Sequence, residues 1–242
     1  MPEIFPALRA ELAPTGKLRV GINLSNFLLT AKDPKTGEFR GIAVDLGREL
    51  GRRLGVPVEI IGYESPGKLA DSVTAGAWDI GFLAAEPQRA NEIAFTAAYV
   101  EIEAGYLVPP GSTLRAIAEV DREGVRIAVP EKAAYELYLT RTLKRAQLRR
   151  EQGADNAFKL FVSDKLDAPA GLKPRLVTDR DNLPGSRILD GRFTAVQQAI
   201  GTPKGRTAGA KYLREFVEDV KATGLVARTI EKNGIRGLSV AP

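Results

Sequence analysis

The 242-residue chain contains no cysteine and no histidine, and only one methionine and one tryptophan. Without cysteine there is no disulfide, and without either residue there is no thiolate or imidazole metal site and no cysteine or serine–histidine nucleophile. Any catalysis would rest on carboxylates, lysine, tyrosine or hydroxyls, and the sequence implies neither a metal nor a cofactor. Long apolar runs are also missing: nothing reaches the roughly 18 uninterrupted residues that a membrane-crossing helix needs. The opening MPEIFPALRAEL lacks the basic start and apolar centre of a secretory signal.

What is present is a globular composition, 44% hydrophobic and 27% charged, enough to bury a substantial core in one domain or two modest ones. The net charge of +5 and the cluster RTLKRAQLRR (Arg141–Arg150) raise nucleic acid as a partner. Leu143, Ala146 and Leu148 interrupt that cluster and no aromatic ring interleaves to stack on bases, which argues against it.

The most informative stretch is GEFRGIAVDLGRELGRRLGVPVEI, Gly37 to Ile60. Ala43, Leu46, Gly47, Leu50 and Leu54 recur at helical spacing, with Arg48, Glu49, Arg52 and Arg53 on the other side and Gly55 as a stop. The apolar, β-branched run Val56–Ile61 predicts a strand beside the one spelled by Leu18–Asn23. Further strands are expected at Asp79–Leu83, Gly105–Val108, Val125–Val129, Gln147–Arg150, Leu166–Ala168 and Arg192–Ala199. Helices are expected at Gly67–Thr74, Leu114–Val120, Ala134–Arg145, Asn156–Val162, Gly205–Gly224 and Leu225–Asn233. The class is α/β, and Val108–Ser112 (VPPGS) is where a linker between lobes is expected.

Several ordered motifs resemble the bacterial extracellular solute-binding proteins of family 3, the substrate-binding components of polar amino-acid ABC importers. They are Val20-Gly21, the GIAVDL segment at Gly41–Leu46, AGAWDIGFLA at Ala75–Ala84, Pro87-Gln88-Arg89-Ala90 and Ile93–Val108. The resemblance implies a two-lobe, type II periplasmic binding protein-like fold, each lobe a mixed sheet flanked by helices. Residues 1–107 would begin the first lobe, 108–192 would form the second, and 193–242 would return to the first with the C-terminal helices. A solute in the interlobe cleft would close the two lobes by touching both. The implied partners are a small anionic or zwitterionic solute and a membrane permease. The missing signal means either that it has been removed or that the protein is cytosolic; the resemblance implies the first, a periplasmic monomer.

The resemblance places Arg89 on the substrate carboxylate, where a planar guanidinium grips bidentately; a solvated turn arginine paired with Glu86 or Glu92 is the alternative. The family's Gly-x-Thr-x-Thr before that turn is replaced by Phe82-Leu83-Ala84-Ala85-Glu86, leaving the Ala84 carbonyl as an acceptor. In the second lobe, Lys132 or the amides near Ala133 and Ala134 would replace a missing hydroxyl turn at a helix start, with Tyr135 as a wall. The family's ammonium-binding aspartate would fall near Leu172 and is absent. Asn23, Asn26 and Phe27 in the first loop, and Tyr63, are expected to contact solute, or else to cap turns and fill core. Glu86, Glu101 or Glu103 would supply a relocated counter-charge. The expected function is solute capture without catalysis. The alternatives are a sensory module on the same scaffold, or a dehydratase like the cyclohexadienyl dehydratases with Glu101 or Glu103 as general acid.

Overall fold

A computed structural model describes residues 6–242. Met1–Phe5, part of the opening stretch without signal-peptide character, lie outside the described residues. The chain divides into two compact units, one made of the residues up to Glu101 together with Gln197–Pro242, the other of Ile102–Val196.

In the first unit, α1 (Pro6–Leu12) leads into β1 (Leu18–Asn23), and a small hairpin of β2 (Ala31–Lys32) and β3 (Phe39–Arg40) precedes α2 (Ile42–Leu54). Helix α2 buries Leu46, Gly47, Leu50, Gly51 and Leu54, and Gly55 ends it in the left-handed conformation at φ 64°. Gly51 is required by contact: a Cβ there would lie 2.1 Å from Val58 Cγ2, so any larger residue would push the helix off the following strand. That strand, β4 (Val58–Tyr63), runs parallel to β1 with Leu18 opposite Val58 and Asn23 opposite Tyr63. It starts two residues later than the apolar run suggests, because Gly55 closes the helix and Pro57 has no N–H to give a ladder.

After α3 (Pro66–Asp71), whose Ser65 accepts a hydrogen bond from the Lys68 amide at 3.2 Å, β5 (Ile80–Ala84) pairs parallel with β1 on its other side. Trp78, just before β5, is fully buried against Leu69 and Val73 and donates Nε1 to the Leu69 carbonyl at 3.0 Å. Two long strands carry the chain between units, β6 (Ile93–Val108) and β11 (Thr194–Pro203), and β11 lies antiparallel to β5. Helices α7 (Thr207–Ala222) and α8 (Leu225–Lys232) then pack on α1 and α2. A short β12 (Ser239–Val240) pairs with Val100 and Glu101 of β6.

The second unit is built on β7 (Arg126–Pro130), β8 (Gln147–Glu151) and β9 (Ala168–Leu172), all parallel, with the latter half of β6 antiparallel to β9. Helices α4 (Ala134–Thr142), α5 (Ala154–Ser163) and α6 (Lys173–Asp181) cover this sheet, and β10 (Arg187–Ile188) pairs with the far end of β6. Its core centres on Leu107, Ala128, Phe161, Leu166 and Leu176.

Three expectations are corrected. The helix expected over Leu114–Val120 is reduced to a single 3-10 turn at Ile117–Glu119. Ser112 Oγ accepts from the Leu114 amide at 3.3 Å and Glu119 accepts from the Arg115 amide at 2.6 Å, so side chains take the donors a helix start would use. The strand expected only at Gly105–Val108 begins at Ile93, and the chain leaves the first unit inside it; VPPGS ends that strand and lies within the second unit. Helix α6 was not expected, because KPRLVTDRD carries too few apolar residues for a readable stripe and buries only Leu176 and Asp179.

The carboxylate of Asp79 is fully buried and meets Arg19 at 2.8 Å and Arg206 at 3.0 Å. Removing it strands two guanidinium groups, so Asp79→Ala is expected to lower the unfolding free energy by about 3 kcal/mol, read by urea denaturation. Glu49 on α2 is held down to about 2, chiefly by Arg52 and also by Arg53, against an ordinary value of 4.5. A carboxylate with a depressed folded-state value stabilises above its unfolded value and loses that contribution as pH falls through the folded one. Glu49→Gln is therefore expected to flatten stability between pH 4.5 and 2, by less than about 1 kcal/mol because the pair is solvent-screened; acid titration of thermal unfolding checks it.

Candidate functional site

Because β1, β4 and β5 are parallel, Asn23, Tyr63 and Ala84 end at one edge of the first unit, the carboxyl edge at which open α/β sheets hold ligands. The loop after β1 is a tight turn built by asparagine side chains. Asn23 Oδ1 accepts from the Ser25 amide (3.1 Å) and hydroxyl (2.8 Å), and Asn26 Oδ1 accepts from the Leu28 amide (3.3 Å). Thr30 Oγ1 closes the turn by donating to the Asn23 carbonyl at 2.6 Å. Both asparagines therefore do cap turns, while their Nδ2 groups donate to no partner among the described residues. Phe27, next to Asn26, is 48% exposed. Tyr63 packs against the cluster of Leu69, Val73 and Trp78.

The loop after β5 holds the residues on which the sequence reading depends. Arg89 sits in a 3-10 turn, Arg89–Asn91, only 7% exposed, and donates Nη1 to the Ala84 carbonyl at 2.8 Å. A solvated turn arginine is thus ruled out. Burial depresses its guanidinium to about 10, with the carboxylates of Glu86 and Asp71 pulling the other way. A guanidinium remains cationic at neutral pH even so, and the Ala84 carbonyl holds one of its nitrogens in place. Glu86 is half-buried in the same loop.

The second unit repeats the edge: β7, β8 and β9 end at Pro130, Glu151 and Leu172. Lys132 adopts φ 57° and leads through Ala133 into α4. Two of the amides here are already used: Lys132 N donates to Glu136 Oε2 at 3.2 Å and Ala133 N to the Pro130 carbonyl at 3.3 Å. Glu136 is buried, accepting also from Thr140 (2.7 Å) and Arg150 (2.8 Å), so the protein's own carboxylate occupies the start of α4. Tyr135 is 8% exposed, its phenol pushed up by burial.

Beyond Leu172, Lys173 pairs with Glu103, and Arg192 reaches the same carboxylate at 3.3 Å. Lys173 holds Glu103 below the usual carboxylate range, the opposite of what a general acid at neutral pH requires. Glu101 accepts from Gln197 at 2.9 Å. The sequence reading missed Glu136, whose signal was an acidic residue three positions into the helix, where it reaches back to amides before the first turn. It also missed the ring group of Tyr106, Phe193 and Tyr138, with centroids 4.6 and 6.0 Å apart, which joins residues too distant in sequence to be read together. No group of three or more acidic side chains among the described residues is arranged to hold a metal, and no helix is long and apolar enough to cross a membrane.

Comparison with known proteins matches residues 18–234 to the model of the bacterial extracellular solute-binding proteins, family 3. The ABC transporter glutamine-binding protein of Bacillus subtilis (strain 168) is 20% identical over 225 residues, 89% of this chain and 80% of that protein. The solute receptor for L-cysteine of Neisseria gonorrhoeae superposes with a TM-score of 0.78 at 18% identity, covering 96% of this chain and 95% of that one. An ancestral amino acid-binding protein, a precursor of cyclohexadienyl dehydratase, superposes at 0.74 with 22% identity, covering 92% and 97%. These likenesses establish the type II periplasmic binding protein fold for this chain.

The engaged carboxylate of Glu136 makes a sharp stability test. Glu136→Ala leaves Arg150 Nε and the Lys132 amide without this acceptor and is expected to destabilise the protein by roughly 2 kcal/mol, measured by urea unfolding.

Proposed function

Since the chain belongs to the bacterial extracellular solute-binding proteins of family 3, we propose that it is the receptor of an ABC importer. It captures a small carboxylate-bearing metabolite, an amino acid or related organic acid, outside the cytoplasmic membrane and delivers it as a monomer to a permease. The single observation that carries this reading is Arg89: a buried guanidinium, oriented by the Ala84 carbonyl, on the loop that follows a parallel strand. A buried cation has a strong electrostatic preference for an anion, and the arginine fork matches a carboxylate.

The surrounding loop agrees in sign. Asn23 and Asn26 use their side-chain oxygens within the turn, so the Nδ2 donors are what they offer a solute. Phe27 supplies an exposed apolar wall. The glutamine-binding and cysteine-receptor relatives point to an amino acid as the solute class. In the second unit, the carboxylate already seated at the start of α4 and the lysine following Leu172 do not favour the ammonium site the family usually has there. Glu86, beside Arg89, is the acidic group on the proposed edge that would face an amine.

The test is a thermal-shift screen of amino acids and organic acids followed by calorimetry on the strongest stabiliser. A single site is expected, weakened at least 100-fold by Arg89→Ala and about ten-fold by Arg89→Lys, which keeps the charge but loses the fork. Binding unchanged in a folded Arg89→Ala protein would remove Arg89 from the site.

A further inference from the structure

On the second unit, α6 and the segment that follows it enclose a groove of about 420 Å³ that the residues discussed above do not explain. One wall is a single face of α6: Lys173, Val177 and Arg180 stand at i, i+4 and i+7. The other is the run from Ser186 through β10 to Gly191.

Two local anomalies meet there. Val177 is 40% exposed, one of few large apolar side chains left so among the described residues. Ser186 is 8% exposed, yet its buried Oγ has no hydrogen-bond partner among them, a state that normally calls for an explanation.

Three cations, Lys173, Arg180 and Arg187, and one acid, Asp190, line the groove, and among the described residues Lys173 and Arg180 each carry a carboxylate partner while Arg187 does not. Arg187 makes no ion pair among the described residues; its Nη2 donates to the backbone carbonyls of Ser112, at 3.2 Å, and Leu114, which fixes the guanidinium without neutralising it. Arg180 pairs only with its chain neighbour Asp181, at 2.9 Å with both side chains largely exposed, a contact of small worth. Lys173 is shared with Glu103.

The cations are also separated. Leu172, next to Lys173, is opposite Ala104 of β6, while Arg187 is opposite Val108, so the two ends lie four residue steps, about 13 Å, apart along the strand. Along α6 the seven residues from Lys173 to Arg180 span about 10 Å. Between the ends the groove is apolar, with Val177 on one wall and Ile188 and Leu189 on the other.

We propose that this groove is a binding site for a small, elongated organic dianion. One acidic group sits at the end formed by Arg180, Arg187 and Ser186, the other at Lys173, and a hydrocarbon body lies across Val177. The site is separate from the loop of Arg89 and stands whether or not that loop binds solute.

The experiment is an NMR titration of the full chain with succinate, adipate and suberate, and with inorganic sulfate as the compact control. Suberate is expected to bind tightest, shifting amides in the 173–191 region. Arg180→Ala and Val177→Asp, both at exposed positions, are each expected to weaken it at least ten-fold, while Arg89→Ala leaves it unchanged. Sulfate binding as tightly as suberate, shifts confined to the Arg89 loop, no binding by any diacid, or wild-type affinity in both groove variants would each overturn the proposal.

Discussion

The buried carboxylate of Asp79 joins pieces of chain that are far apart in sequence. Its oxygens accept from the Arg19 amide and guanidinium at the start of β1 and from Arg206 before α7, and its backbone carbonyl accepts from Thr202 at the end of β11. A charge in the interior is tolerated only when it is matched on all sides, so these segments have one arrangement that satisfies it. Fixing β1, β5 and β11 at that end leaves β1 and β5 to release their following loops together at the other. The positions of Asn26, Phe27 and Arg89 are consequences of a contact made at the opposite side of the sheet.

The two units of the chain treat anions differently. In the first, Arg89 is a buried cation set on a carbonyl, and the neighbouring turn consumes asparagine oxygens while leaving amide donors over. In the second, Glu136 places a carboxylate at the start of α4 and accepts from the Lys132 amide there. The same kind of structural feature, a loop leaving a parallel strand, thus carries a buried cation in one unit and a buried carboxylate in the other. For the proposed receptor, recognition of a carboxylate falls to the first unit. The groove beside α6 is lined by three further cations, of which Arg187 has no carboxylate partner among the described residues.

The α2 segment shows why much of the fold was legible. Its apolar spacing, its terminal glycine and the β-branched run after it each encode local geometry, and together they specify a parallel pair with a crossover helix. Leu114–Val120 and Lys173–Asp181 fail in opposite directions. The first has helical spacing, but Ser112 and Glu119 capture its amides, whereas the second lacks the spacing and is held by Leu176 against the core. At the site, the arginine and the loop residues were readable as types. The capture of the Lys132 amide by Glu136 was not, because it depends on the left-handed turn at Lys132 bringing an amide to a side chain four residues on.

The sequence by itself determined the α/β class, the principal helix and strand segments, the chemistry unavailable to a chain without cysteine or histidine, and the family to which the motifs point. These follow from local periodicity and residue type, which act over a few positions. Only the tertiary structure decided that Arg89 is buried rather than solvated, that Asp79 binds two arginines separated by most of the chain, and that Lys173, Val177 and Arg187 line one groove. Burial and charge pairing depend on which distant segments come together, and no local pattern carries that information.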